Sequence, residues 1–422
     1  MTDTIKFTNA LGNSSISELV FNRHYAPDVD YTPEQAAVLN DANFVTAQET
    51  IAAWPGYAPT PLLALTEMAK DAGLASLHYK DEGGRFGLGS FKALGGAYAV
   101  LRLIMSEISA RTGAPEPSVQ EILGGTYKDI LAGITVCCAT DGNHGRSVAW
   151  GAQTFGCNCV IFIHATVSEG RKSAIESFGA EVRRTAGNYD ESVREADETA
   201  REEGWFVVSD TSYEGYTEIP KNVMQGYEIM AAEAADQLAD GSFEPPTHVF
   251  LQTGVGGAAA AVAAQLRRRY GAEKAPKIIL ADPDKSACWL ETLRNGTPTA
   301  VEGDLDTLMA GLACGEISLL AWDVLKPLAC AAVSVADADA VSVMKMLASQ
   351  TGNDPAIVAG ESAVAGLAAC IAVAAYPEAA QAIGLGADSR VLVFGSEGDS
   401  DPELYEQLVG RTAAEVRGDV IA

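Results

Sequence analysis

Basic residues are scarce: 29 lysines and arginines stand against 56 aspartates and glutamates in 422 residues, a formal net charge of −27. A field of that sign repels phosphate backbones and anionic lipid, so nucleic acid and membrane surfaces are poor partners. The acidic residues are spread along helical stretches such as 188–204 rather than gathered in a tail, which reads as a solvated surface. No run of about 20 apolar residues is present to span a bilayer. The opening MTDTIKFTNALGNSS lacks the basic start and apolar stretch of a secretory leader, so the cytoplasm is the expected compartment. Among the eight cysteines there is no C-x-x-C pair for a zinc knuckle. Most of them read as small core residues.

Glycine, by contrast, is plentiful, with 41 copies beside 48% hydrophobic residues, as in a globular protein rich in loops. The chain is too long for one ordinary core, which points to two lobes. From residue 134 onward, Val- and Ile-rich runs alternate with helical stretches of about 12 to 16 residues, the pattern of a parallel sheet wrapped by helices. Runs at 134–140, 159–165, 181–185 and 205–210 form one series, and runs at 247–253, 277–283, 330–336 and 390–396 a second. No repeat or low-complexity linker separates them. The expected fold is therefore two open, mostly parallel α/β lobes sharing a cleft: residues 91–215 as a small lobe, residues 1–90 and 216–422 as a larger one. Ligands of such sheets bind beyond the carboxyl ends of the strands.

The loops at those ends carry the chemistry. Gly89-Ser90-Phe91-Lys92 leads into a helix whose first turn holds Lys92. The helix dipole disfavours an ammonium there, which suits the amine to act as a nucleophile and later as a base; the bland alternative is an exposed surface lysine. Thr253-Gly254-Val255-Gly256-Gly257 lies between a strand and an Ala-rich helix, where backbone amides converge on an anion. Gly254, Gly256 and Ala259 equally fit G-x-G-x-x-A, with Asp282 ending the next strand where a dinucleotide enzyme holds its ribose. That loop alone does not decide. Asp141-Gly142-Asn143-His144-Gly145 follows the strand at 134–140 and opens a helix, and Asn143 reads either as a binding residue or as an ordinary cap. His144 has neither a metal cluster nor a nucleophile beside it and reads as loop structure. Ser396 ends the last strand, as a ligand or a turn cap.

Together with Pro59-Thr60-Pro61-Leu62 and Lys80-Asp81-Glu82, these loops resemble the fold-type II pyridoxal-phosphate enzymes, the group of threonine and serine dehydratases, threonine synthase and the tryptophan synthase β chain. The resemblance implies that Lys92, in the S-F-K motif with Phe91, carries pyridoxal phosphate, and that Asn143 bonds the ring hydroxyl. It implies that Gly254, Val255, Gly256 and Gly257 cup the phosphate and that Ser396 meets the pyridine nitrogen. Amides of the asparagine loop, Gly142 and His144 among them, would receive the substrate carboxylate. A neutral serine at the pyridine nitrogen favours β-elimination over transamination or racemisation. A hydride-transfer enzyme has no need of Lys92 with Asn143.

The dehydratases usually carry a serine where this chain has Asp141. D-G-N-H-G resembles the diaminopropionate ammonia-lyase branch, as do Ser209-Asp210-Thr211, Met224-Gln225-Gly226-Tyr227, Met309-Ala310-Gly311-Leu312, Gly360-Glu361-Ser362 and Glu397-Gly398-Asp399. A substrate with a β-ammonium group needs counter-charge, and Asp141 and Asp210, each just past a strand, are candidates unless they merely cap turns. The implied reaction is α,β-elimination of D- or L-2,3-diaminopropionate to pyruvate and two ammonia. In it Lys92 is the base for the L isomer, Asp141 serves the opposite face, and Asp210 assists the leaving amine. The resemblance also implies a homodimer. Positions like Cys288 and Cys314 can form a disulfide in that branch, but free thiols are expected in a cytoplasmic protein. Three alternatives stay open: a serine or threonine dehydratase, a nicotinamide-dependent dehydrogenase, and a non-catalytic protein on an enzyme scaffold. Residues 1–50 and the tail after 403 show no motif.

Overall fold

Every Val- and Ile-rich run named above becomes a strand in the computed structural model, which describes residues 4–8, 11, 15–140, 142–187 and 189–418. In chain order the strands are β1 (Thr4–Thr8), β2 (Ile16–Phe21), β3 (Leu62–Ala64), β4 (Ser76–Asp81), β5 (Thr135–Ala139) and β6 (Asn158–Ile163), followed by β7 (Glu181–Arg184), β8 (Phe206–Val207), β9 (His248–Gln252), β10 (Lys277–Pro283), β11 (Ala329–Val335) and β12 (Arg390–Gly395). They form two sheets. One has eight strands in the order β1-β2-β11-β10-β9-β12-β4-β3, and the other four in the order β7-β6-β5-β8. The smaller sheet is parallel throughout. The larger is parallel from β11 to β4 and antiparallel where β1, β2 and β3 join.

The interior strands are buried on both faces, which is why they read as continuous apolar runs rather than as alternation. All seven residues of β11 are buried. Leu19, Phe250, Ile279, Val333, Leu367 and Val393 share one core around the large sheet. Cys137, Val160, Phe162, Ala196 and Ala200 make a smaller core on the other sheet.

Four strands, β1 to β4, escape the apolar-run reading. The pair β1 and β2, from a stretch with no motif, forms a hairpin that extends the large sheet past β11. Strand β4 carries His78, Lys80 and Asp81, and its buried Lys80 is paired with a carboxylate instead of being replaced by an apolar residue. A buried ion pair leaves no hydrophobic signature.

Two compact units contain these sheets: Met1–Leu39, Pro59–Gly84 and Met230–Ala422 in the first, Asn40–Ala58 and Arg85–Ile229 in the second. The boundaries differ from the expected 91–215. Residues 40–58 join the second unit because the Trp54 ring packs 5.9 Å from Phe86, 5.9 Å from Trp150 and 5.4 Å from Phe155. Residues 216–229 join it because the helix Glu218–Asp240 presses on the helix Lys92–Thr112 at Gly226, where a Cβ would overlap the Leu94 carbonyl. One further expectation changes. The helix Lys92–Thr112 is long and apolar enough by composition to cross a bilayer, contrary to the reading that no such stretch exists. Its Leu94, Ala97, Val100, Leu101 and Ile104 are fully buried, as in a core helix.

Candidate active site

In the second unit the chemistry gathers at the start of the helix Lys92–Thr112, whose first residue is Lys92. The Lys92 ammonium donates to Asp210 Oδ2 at 2.5 Å, with the two side chains 19% and 18% exposed. Aromatic rings flank the same nitrogen, its Nζ lying 5.4 Å from the Phe91 ring centre and 5.8 Å from that of Tyr227. Small residues make this closeness possible. A Cβ on Gly95 would overlap the Tyr227 ring, and one on Gly96 would overlap Ser147 Oγ, which donates to the Lys92 carbonyl at 2.8 Å. The G-G-A stretch after the lysine thus lets two helices close on it.

Burial pushes the Asp210 carboxyl upward, but the Lys92 charge and the Lys92 hydrogen bond outweigh it and hold the group well below its ordinary value. Asp210 is a standing carboxylate. His144 takes the opposite course: burial, the largest influence, lowers its pKa, only partly opposed by Asp210. Its Nε2 lies 2.8 Å from the Val208 carbonyl, which can only accept, so Nε2 carries the proton of the neutral ring. Nδ1 then faces Asp210 Oδ2 at 3.8 Å, and it meets no hydrogen-bond partner among the described residues. His144 therefore ties the asparagine loop to the end of the neighbouring strand beside Asp210, in keeping with a structural reading of its side chain.

The asparagine loop is shaped by a residue that sequence reasoning passed over. Thr140 Oγ1 accepts the amides of Gly142 at 3.0 Å and Gly145 at 3.1 Å. A Cβ on Gly145 would overlap the Thr140 methyl. Asn143, half-buried, is the first residue of the helix Asn143–Phe155. Asp141 lies outside the described residues.

The glycine loop belongs to the first unit. Its carbonyls are tied back: Gly254 accepts the Trp289 indole N–H at 3.1 Å and Val255 accepts the Ser318 amide at 2.9 Å. The amides of Gly254, Val255 and Gly256 meet no hydrogen-bond partner among the described residues. They precede the helix Gly257–Lys274, so unpaired donors and a helix N-terminus coincide, which fits a phosphate monoester. Gly256 has φ +95° and lies where a Cβ would overlap the Trp289 ring, so glycine is required twice over.

Asp282 settles the dinucleotide alternative. It is fully buried, accepts the Leu290 amide at 2.8 Å and the Thr253 hydroxyl, and offers nothing to a ribose. Burial raises its carboxyl to about 7, against the lowering effect of Thr253 and the backbone amides. Next to it, Cys288 Sγ lies 3.6 Å from the Gly254 carbonyl.

Ser396 follows β12, is half-buried, and donates to the Ser362 carbonyl at 3.4 Å. The buried Glu397 beside it accepts the Ser362 amide at 3.1 Å and the Ser400 hydroxyl at 3.2 Å. The Pro59 and Lys80 motifs prove to be framework. Lys80 Nζ reaches Thr60 O at 2.7 Å, Glu233 Oε2 at 2.7 Å and Gln237 Oε1 at 3.0 Å, while Thr60 Oγ1 donates to Glu82 at 2.6 Å.

Residues 53–397 match the family of pyridoxal-phosphate dependent enzymes. The diaminopropionate ammonia-lyase of Escherichia coli K12 is 40% identical over 358 residues, covering 84% of this chain and 88% of that protein. The solved holo structure of diaminopropionate ammonia lyase from Escherichia coli superposes with a TM-score of 0.84 at 35% identity, over 96% of this chain and 98% of that one. The structure of the same enzyme in complex with D-serine gives a TM-score of 0.83 at 36% identity, over 94% of this chain and 98% of that one.

Proposed function

We infer the reaction from one premise: the chain belongs to the pyridoxal-phosphate dependent enzymes, in their diaminopropionate ammonia-lyase branch. It is a carbon–nitrogen lyase that converts D- or L-2,3-diaminopropionate, with one water, to pyruvate and two ammonia. The observation that carries this reading is Asp210, an ionised carboxylate that holds an ammonium at 2.5 Å. A β-ammonium substrate presents that same group, whereas serine and threonine present a neutral hydroxyl.

Bound pyridoxal phosphate supplies the electron sink that makes the substrate's α-proton removable. Lys92 carries it, and its amine, once displaced, takes the α-proton of the L isomer. Asp141 serves the opposite face for the D isomer. Asp210 keeps the departing β-nitrogen in its ammonium form, so that it leaves as ammonia. Phe91 flanks Lys92, Asn143 meets the ring hydroxyl, and the amides of Gly142 and His144 receive the substrate carboxylate. The amides of Gly254, Val255, Gly256 and Gly257 take the phosphate. The Ser396 hydroxyl meets the pyridine nitrogen and leaves it uncharged, which favours elimination. The assembly we propose is a homodimer in the cytoplasm; light scattering that returned the mass of a single chain would overturn the dimer.

Two measurements test the reading. Borohydride reduction followed by digestion is expected to leave the cofactor on the peptide bearing Lys92, and an unmodified peptide there sinks the assignment. Pyruvate and ammonia are then followed with D- and L-diaminopropionate, serine and threonine in parallel; faster turnover of serine than of diaminopropionate would make the chain a dehydratase. Loss of the L reaction with survival of the D reaction in Asp141→Asn would reverse the assignment of faces.

A further inference from the structure

Trp289 plays no part in the chemistry above, yet it is fully buried directly under the glycine loop. A buried indole N–H left without an acceptor is costly, and this one donates to the Gly254 carbonyl at 3.1 Å. The peptide unit is planar and trans, so the Gly254 carbonyl and the Val255 amide point in opposite directions. Whatever fixes the carbonyl therefore aims the amide. The next peptide obeys the same logic, since the Val255 carbonyl accepts the Ser318 amide at 2.9 Å and turns the Gly256 amide away from it. Two successive aimed amides form an anion-binding nest.

We propose that Trp289 is a positioning residue for the cofactor's phosphate: its indole N–H sets the tilt of the 254–255 peptide and so presents the Val255 amide to the anion. This rests on the reading of the loop at 254–257 as the phosphate cup. Two further features of the structure support it. A Cβ on Gly256 would overlap the Trp289 ring, so the indole fills the space into which the loop would otherwise sag. The start of the helix Cys288–Asn295 is joined to the loop through one carboxylate, because Asp282 accepts both the Leu290 amide and the Thr253 hydroxyl. Tryptophan and loop are thus held as one body, with Asp282 as the clamp and the indole as the prop.

The test replaces Trp289 with its benzothienyl isostere, which keeps the ring shape and removes only the N–H, and compares it with Trp289→Phe and Gly256→Ala. Pyridoxal phosphate affinity is read by titrating each protein with the cofactor, and the bound phosphate is read by its phosphorus NMR shift. The isostere is expected to keep the wild-type melting temperature, to bind pyridoxal phosphate on the order of tenfold more weakly, the worth of one neutral hydrogen bond, and to shift the phosphorus resonance. Trp289→Phe should move in the same direction, and it carries the test if the isostere cannot be incorporated. Gly256→Ala should lose more affinity than either. If the isostere and Trp289→Phe bind as wild type with an unmoved resonance while Gly256→Ala is impaired, the role of Trp289 is overturned and the cup stands. If Gly256→Ala also binds as wild type, the cup reading fails and the proposal with it.

Discussion

The two units each hold a lysine against a carboxylate, and the pairs behave as opposites. Lys80, on β4 of the first unit, has no exposed side-chain surface, and its three donors meet Thr60, Glu233 and Gln237. An ammonium has three N–H groups, so Lys80 cannot change partners without opening the core. Lys92, in the second unit, keeps 19% of its side chain accessible, stands at the first residue of a helix and is flanked by two aromatic rings. The same two functional groups thus serve as framework in one place and as a reactive centre in the other. Burial and the number of fixed acceptors make the difference, and residue type does not.

Lys92→Ala should break the reactive pair, lowering turnover on the order of 10⁴-fold, the upper end of what one positioned acid or base supplies, with a smaller loss of stability than the fully buried Lys80 pair would show. Survival of turnover would remove the contrast altogether. Lys80→Met should do the reverse. It strips the buried Glu233 charge of its lysine counter-charge, at a cost of about 3–5 kcal/mol in chemical denaturation, while the folded fraction keeps its kcat. Replacing Lys80 and Glu233 together by apolar residues should restore much of that stability. Asp210→Asn sharpens the comparison on the carboxylate side. Loss of one charged hydrogen bond, about 1.5–3 kcal/mol, should cut kcat/KM for diaminopropionate roughly 10- to 150-fold and spare serine by comparison. Equal losses with both substrates would deny Asp210 a role in reading the β-ammonium.

The smallest expected effect concerns pH, where Asp210 and Asp282 part company. The Asp282 carboxyl is raised from 3.8 to about 7, so its contribution to stability is whole below 3.8 and drains away as pH rises toward 7. Asp210 is depressed, so its contribution is present above 3.8 and is lost as acid protonates it. Asp282→Asn keeps an acceptor for the Leu290 amide and a donor for Thr253. Its melting temperature should therefore gain on wild type as pH climbs from 4 to 8. Asp210→Asn should lose ground to wild type at lower pH, as the climb approaches 4, and run level with it from 4 to 8. Parallel curves for either variant within its own range would contradict the shift assigned to that residue.

Hydrophobic pattern and loop chemistry are local properties, and they were readable along the chain. The apolar runs at 247–253 and 390–396 announced β9 and β12, and glycines next to Lys92, Asn143 and Gly254 announced loops that close on helix starts. What those loops resembled pointed to the cofactor. Three-dimensional packing decided the rest, because it joins residues that no spacing relates. Glu233 neutralises Lys80 across 153 positions, Asp210 meets Lys92 across 118, and Trp289 reaches Gly254 across 35. Whether a lysine is a strut or a nucleophile, and whether an aspartate ends a strand for ribose or clamps Thr253 out of reach, depends on the solvent and acceptors around it. Those are set by the chain's fold as a whole and not by its neighbours in sequence.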